Sequence, residues 1–236
     1  MSTDKELDTL KTFYDEVYYA NDQKAPQNYR HLNALAAKFD IGKSDQVLDI
    51  ACGLGEWLKV CEGRGAAVNG IDLSSKAIEF CQKKIPAGEF YAQPAENLPF
   101  ATDQFDYVTC LGSLEHFVEP VNAIKEMVRV GKADARFILL VPNADFLTRK
   151  LKLYAGTNQK DAKEVVRTLD EWQEMFETAG LEIESRWKDL HVLSWGWITM
   201  GGWLQAPVRL LQALALSIWP LKWQYQVYHL CISRKD

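Results

Sequence analysis

The chain alternates between stretches whose apolar residues recur every three to four positions and short runs that are apolar almost throughout. Leu7, Leu10, Phe13 and Tyr14 mark residues 4–19 as helical, and Leu32, Leu35, Ala36 and Phe39 do the same for residues 28–39. Two helices are therefore predicted ahead of the first strand. From Gln46 the period changes: residues 46–51 form a β-rich apolar run, followed by glycines and a helical stretch over 56–61. Residues 66–72 repeat the strand, and Ser74 or Ser75 stands where it can cap a helix running to about Lys84.

Residues 89–93, 105–111 and 135–142 supply three further strands. The last is nearly continuous in apolar residues, as a strand covered on both faces should be. Ile124, Met127 and Val128 place a helix over 118–130, between the last two of these strands. Thr168 and Glu171 have the spacing of a capping box, and Gly180 stands at the stop position, so a helix is predicted over 169–179. Residues 181–190 and 223–233 read as the final strands. Strands and helices in this alternation predict a single α/β domain over 1–236, with a parallel, doubly wound sheet.

Composition narrows the class. A chain of 236 residues, 47% of them hydrophobic, buries a substantial core. The net charge of −5 and the lack of any Lys/Arg block argue against nucleic acid as a partner. Cys52, Cys61, Cys81, Cys110 and Cys231 form no CxxC pair, which fits reduced thiols and a cytoplasmic location. The first eleven residues are polar and offer no apolar core for a secretory signal. No His/Cys/Asp/Glu cluster has metal-ligand spacing, so no metal is expected.

One apolar segment interrupts the alternation. Between Val192 and Leu221 the only charged residue is Arg209, but Gln205, Pro207, Gln212 and several glycines break the run, so it does not read as a membrane span. If residues 207–221 are helical, Arg209, Gln212 and Ser217 share one side and leave a wide apolar face that must be buried. Trp195, Trp197, Trp203, Trp219 and Trp223 lie in or beside this insertion. It is expected to pack on the domain's own core, to cap a bound acceptor, or to contact a membrane surface or a second subunit. The polar run over 154–163 is the one linker-like stretch.

The chemistry concentrates at the end of the first strand. Val47-Leu48-Asp49-Ile50-Ala51-Cys52-Gly53-Leu54-Gly55 is a strand that ends in a small-residue turn and opens a helix. Small residues let a ligand approach the backbone, and helix N-terminal amides favour a negative group. Asp72 ends the next strand at the roughly 20-residue distance expected of an acid that holds ribose hydroxyls. Then come Ala95-Glu96-Asn97-Leu98-Pro99-Phe100 and the strand from Phe105.

In this order and spacing the chain resembles the class I S-adenosylmethionine-dependent methyltransferases. The resemblance implies a Rossmann-like three-layer sandwich with a seven-stranded, mostly parallel sheet whose last strand is antiparallel. It implies S-adenosylmethionine as cofactor and S-adenosylhomocysteine as product. Asp49, Ala51 and Gly53 would line the methionine end, Asp72 would grip the ribose, Leu73 would cover the adenine, and Ala95 with Glu96 would lie at its edge. Leu111 would sit beside the cofactor at the end of the fourth strand. Residues 1–40 would form a helical lid carrying Tyr14, Tyr18, Tyr19 and Arg30, with Arg30 placed to pair with the cofactor carboxylate. Two departures are visible: Ala51 replaces the first glycine of the usual loop, and Pro94 replaces a residue that often contacts adenine through its side chain.

Glu115 and His116 follow the fourth strand, at the end of the sheet where ligands of open α/β folds bind. His116 is the candidate base for an acceptor hydroxyl, because imidazole titrates near neutrality. The pair equally suits a purely structural role at the cofactor pocket. The expected activity is methyl transfer to a small-molecule or lipid- or glycan-linked acceptor, more readily at oxygen. The alternatives are N-methylation of a small metabolite and a non-catalytic cofactor-binding or partner protein of the same fold.

Overall fold

A computed structural model describes residues 3–19, 29–152, 164–199 and 202–234. Two helices lead in, α1 (Thr3–Phe13) and α2 (Arg30–Lys38). The central alternation is β1 (Gln46–Ile50), α3 (Glu56–Gly63), β2 (Ala67–Asp72), α4 (Ser75–Lys84), β3 (Glu89–Ala92), β4 (Phe105–Leu111), α5 (Pro120–Val130) and β5 (Gly131–Pro142). It is followed by α6 (Leu147–Lys150), α7 (Leu169–Thr178), β6 (Leu181–Lys188), α8 (Trp195–Thr199), α9 (Ala206–Ile218) and β7 (Gln226–Ser233).

The seven strands form one sheet in the order β3-β2-β1-β4-β5-β7-β6. Neighbours run parallel from β3 to β5, while β7 lies antiparallel to both β5 and β6. Val47, Leu48, Ile50 and Val108 are all fully buried, because helices cover both faces of the central strands. One core joins α2, α3 and α4 to the sheet through Leu35, Leu58 and Ile78; the other joins α5 and α7 through Ile124, Trp172 and Phe176. This is the three-layer sandwich expected.

Local chemistry sets the helix ends. The Ser74 side chain accepts a hydrogen bond from the Ala77 amide at the start of α4, and Thr168 and Glu171 close a reciprocal capping box on α7. Gly180 follows α7 with φ +93°, a left-handed turn that glycine adopts without strain.

Three expectations need amending. The first helix stops at Phe13, and a wider π-type turn over Tyr14–Tyr18 carries the chain toward the sheet. The fifth strand begins at Gly131 rather than Ala135. The apolar face of the insertion is not buried: Ala213 is the only fully buried residue of α9, while Val208, Leu211 and Ile218 are 59%, 68% and 81% exposed. The helix leans on α8 through Arg209, whose Nε donates to the Trp197 carbonyl at 2.7 Å and whose guanidinium stacks over the Trp197 ring. Asn143, fully buried at the end of β5, donates from Nδ2 to the carbonyls of Lys222 and Gln224 and fastens the return into β7. The linker-like run over 154–163 lies outside the described residues. Among the described residues no helix is long and apolar enough to cross a membrane.

Candidate active site

The site forms where β1 and β2 end side by side. The turn after β1 is built in left-handed backbone, with Ala51 at φ +57°, Gly53 at +53° and Gly55 at +71°. Glycine adopts this region freely and alanine at a cost of roughly 1–2 kcal/mol, so the turn tolerates Ala51 under strain. The Gly53 amide donates to Asp72 Oδ2 at 2.9 Å, and the Ser74 amide donates to Oδ1 at 2.8 Å. Two backbone donors thus hold the carboxylate at the mouth of a cleft. Burial pushes the Asp72 carboxyl above its ordinary range, and the two amide bonds pull it partway back.

The cleft walls include Ala51, Ile71, Asp72, Leu73, Pro94, Ala95 and Glu96, together with Ser113, His116 and Phe117. Ile71, Leu73, Pro94, Ala95 and Phe117 make a slot suited to a flat apolar ring, beside an acid suited to paired hydroxyls. Tyr14, Tyr18 and Tyr19 close it from the N-terminal side, and the Tyr19 hydroxyl lies 3.1 Å from where a Cβ on Gly53 would stand. Burial and the nearby Asp72 charge push both the Tyr14 and Tyr19 hydroxyls well above their ordinary range, so both remain neutral donors. Asp15 anchors this turn: its Oδ1 accepts from Ser74 Oγ at 2.6 Å.

The remaining candidates are distributed around the cleft. Asp49 is 4% exposed beneath the turn, accepts from Thr109 Oγ1 at 2.6 Å, and is pushed up to about 7, chiefly by burial. Leu111 is half-buried and packs with the α2–α4 core rather than in the cleft wall. His116 is half-buried on the wall, in the short turn Leu114–His116.

Two candidates depart from their expected places. Glu115 faces inward: it is 4% exposed, its Oε2 has no hydrogen-bond partner among the described residues, and burial pushes it up to about 7. The turn that presents His116 to the cleft directs its neighbour beneath it. Arg30 does not join the cleft; it lines a separate cavity with His31, Lys38 and Trp187, because α2 starts on the far side of the sheet end. Asp15, Gln93 and Ser113 escaped the sequence reading. Asp15 acts across 59 residues, a pairing with no local signature.

Residues 48–139 match the methyltransferase domain family. An uncharacterized methyltransferase of Bacillus subtilis, YcgJ, is 29% identical over 174 residues, covering 66% of this chain and 65% of the relative. A demethylmenaquinone methyltransferase of Paenarthrobacter aurescens is 31% identical over 143 residues, covering 58% of this chain and 56% of the relative. The chain thus spans less than two thirds of the length of these relatives. In fold it is similar to the 1,6-didemethyltoxoflavin-N1-methyltransferase of Burkholderia thailandensis, whose structure holds S-adenosylhomocysteine. That likeness has a TM-score of 0.65 at 14% identity and covers 100% of this chain and 92% of the other. Residues 48–139 thus form a methyltransferase domain, and the sheet order and turn give the chain the fold of the class I S-adenosylmethionine-dependent methyltransferases.

Proposed function

We propose that this protein transfers the methyl group of S-adenosylmethionine to a small or lipid-linked acceptor, with oxygen as the receiving atom. The observation that carries the reading is Asp72, held by two backbone amides in the wall of a cleft beside the apolar Leu73, Pro94 and Ala95. When bound, the sulfonium supplies an activated methyl, so no covalent enzyme intermediate is required. The protein's task is then to bind and to align.

In this reading Asp72 accepts hydrogen bonds from ribose hydroxyls. Leu73, Pro94 and Ala95 enclose the adenine, and Pro94 leaves recognition of its edge to backbone groups. Ala51 and Gly53 keep side chains out of the space for the methionine portion, and Asp49 stiffens the turn from below through Thr109. Tyr14 and Tyr19 shield the cleft from water. His116, on the wall, takes the acceptor proton, whereas Glu115 is buried behind it and acts on the turn's position. A relative named for demethylmenaquinone favours a lipid-linked acceptor. The exposed apolar surface of α9 suits contact with a lipid surface or a second subunit, and reduced, buried cysteines suit the cytoplasm.

Calorimetry with S-adenosylmethionine, followed by transfer from labelled cofactor to a panel of hydroxylated and amine acceptors, tests the proposal. Cofactor binding with label on an oxygen of hydroxylated acceptors supports it, and label on a ring carbon overturns the choice of oxygen. Label on amines alone assigns N-methylation, and binding without transfer to any acceptor leaves a cofactor-binding protein.

A further inference from the structure

A second cavity, of about 370 Å³, opens at the far end of the same sheet edge and shares no wall residue with the cofactor cleft. Its position follows from the strand register. Lys188, the last residue of β6, pairs with Val227, and Gln226 pairs with Pro142 at the carboxyl end of β5. The cavity therefore lies at the carboxyl edge of the parallel strands, where open α/β sheets take their ligands. Its volume falls within the roughly 300–1,000 Å³ typical of small-molecule sites.

The lining is unusual for a chain of net charge −5. Among the described residues that line it, Arg30, Lys38 and Lys188 contribute three cations, and Asp189 is the single carboxylate. That carboxylate is already engaged, by the His191 backbone amide and by His191 Nδ1, whose pKa the contact raises. Lys188 Nζ donates to a neutral acceptor, the Ser217 carbonyl, at 2.8 Å, a bond that brings it no counter-charge. Lys38 Nζ stands 3.6 Å from the centre of the Trp187 ring, which stacks on Tyr228 at 5.2 Å with 2° between the planes. The result is a flat aromatic floor with an ammonium over its face. Leu190 and Leu193, both about two-fifths exposed, form an apolar rim on the side of the insertion.

We infer that this cavity binds an anionic group, a carboxylate or phosphate, carried on a flat aromatic or alkyl body. The anion would meet Lys38 and Lys188, its body would lie against the edge of Trp187, and any chain would leave over Leu190 and Leu193. Cations recognise such groups as charge-assisted hydrogen-bond donors. The identity of this ligand with the methyl acceptor rests on the methyl-transfer reading, but the binding itself does not.

The test uses the full chain without cofactor. Calorimetry compares 2-naphthoate with 2-naphthamide and octyl phosphate with octanol, with quenching of the tryptophan fluorescence that Trp187→Phe removes as a second readout. At least one anion is expected to bind about tenfold more tightly than its neutral counterpart, equivalent to about 1.4 kcal/mol. Preference for naphthoate assigns an aromatic acid, and preference for octyl phosphate a lipid-like phosphate. Lys38 is exposed, so Lys38→Gln should fold normally; it should erase the preference for the anion, and Lys38→Arg should keep it. Equal affinity for anion and neutral partner, no binding of either anion, or binding indifferent to Lys38→Gln would overturn the inference. S-adenosylmethionine affinity, measured in parallel on Lys38→Gln, should be unchanged; its failure in the parent chain would count against the cofactor site and not against this one.

Discussion

Asp72 shows how much a single side chain can carry when the backbone holds it in place. Replacing it with alanine removes a charged acceptor while leaving the apolar slot intact, and should weaken S-adenosylmethionine binding by about 1.5–3 kcal/mol in calorimetry. Unchanged affinity would reject the ribose assignment. Glu115 makes a different prediction. Its folded carboxyl titrates at about 7 against an ordinary 4.5, so the native state holds a proton that the unfolded chain has released. The sign follows: stability is greatest below pH 4.5 as far as this group is concerned, and is lost as pH rises through 7. The loss amounts to roughly 3 kcal/mol. Urea unfolding of Glu115→Gln without cofactor should show a shallower decline between pH 5 and 8 than the parent, with part of the remainder due to Asp49, also pushed up to about 7, and to Asp72, raised by burial. Asp72 was legible in the sequence because its strand-end position and its distance from the turn are local properties. The inward direction of Glu115 was not, because adjacent residues in a tight turn point to opposite sides and only the fold decides which side is the cleft.

At the level of elements, the turn over Tyr14–Tyr18 is tied to the start of α4 by Asp15, whose Oδ1 accepts from Ser74 Oγ and, at 3.3 Å, from the Lys76 amide. Ser74 also caps α4 through the Ala77 amide, so the same hydroxyl serves the helix and the cleft's N-terminal wall. Asp15→Ala should leave the cap in place and stability nearly unchanged, while stopped-flow measurements show S-adenosylmethionine leaving several-fold faster. Ser74→Ala should do both, adding about 1 kcal/mol of destabilisation for the lost cap. An Asp15→Ala protein with unaltered dissociation would remove the turn from the site. The regular elements were readable from periodicity and caps, as the Thr168 box illustrates. The π-type turn was not, because Tyr14 and Tyr18 continue the helical apolar spacing and the departure arises from what the tyrosines meet in the cleft. Nor could periodicity place Arg30, which sits correctly on its helix but beside the wrong cavity.

Across the whole molecule, hydrophobicity divides into a part that holds the fold and a part that does not. Trp172 is fully buried, stacks on Phe176, and donates from Nε1 to the Pro142 carbonyl at 2.7 Å. Leu211 is 68% exposed on α9. Trp172→Ala should therefore cost about 3–5 kcal/mol in urea unfolding, whereas Leu211→Glu should stay within about 0.5 kcal/mol. Leu211→Glu should instead lower vesicle co-sedimentation or self-association, whichever the parent displays; a parent showing neither would leave α9 without a contact role. The sequence identified this segment as apolar, but hydropathy alone cannot tell a buried surface from an offered one. The sheet order carries a further consequence, for synthesis. The strand β7 is made after β6 yet sits between β5 and β6, so β6 has no neighbour in the sheet until β7 has left the ribosome. Until then a nascent chain presents β5 as an open edge, fully apolar at Phe137, Ile138 and Leu139, which invites pairing with other chains. Translation that stalls in the insertion would leave that edge bare, and the cell's demand for chaperones on this protein should peak there.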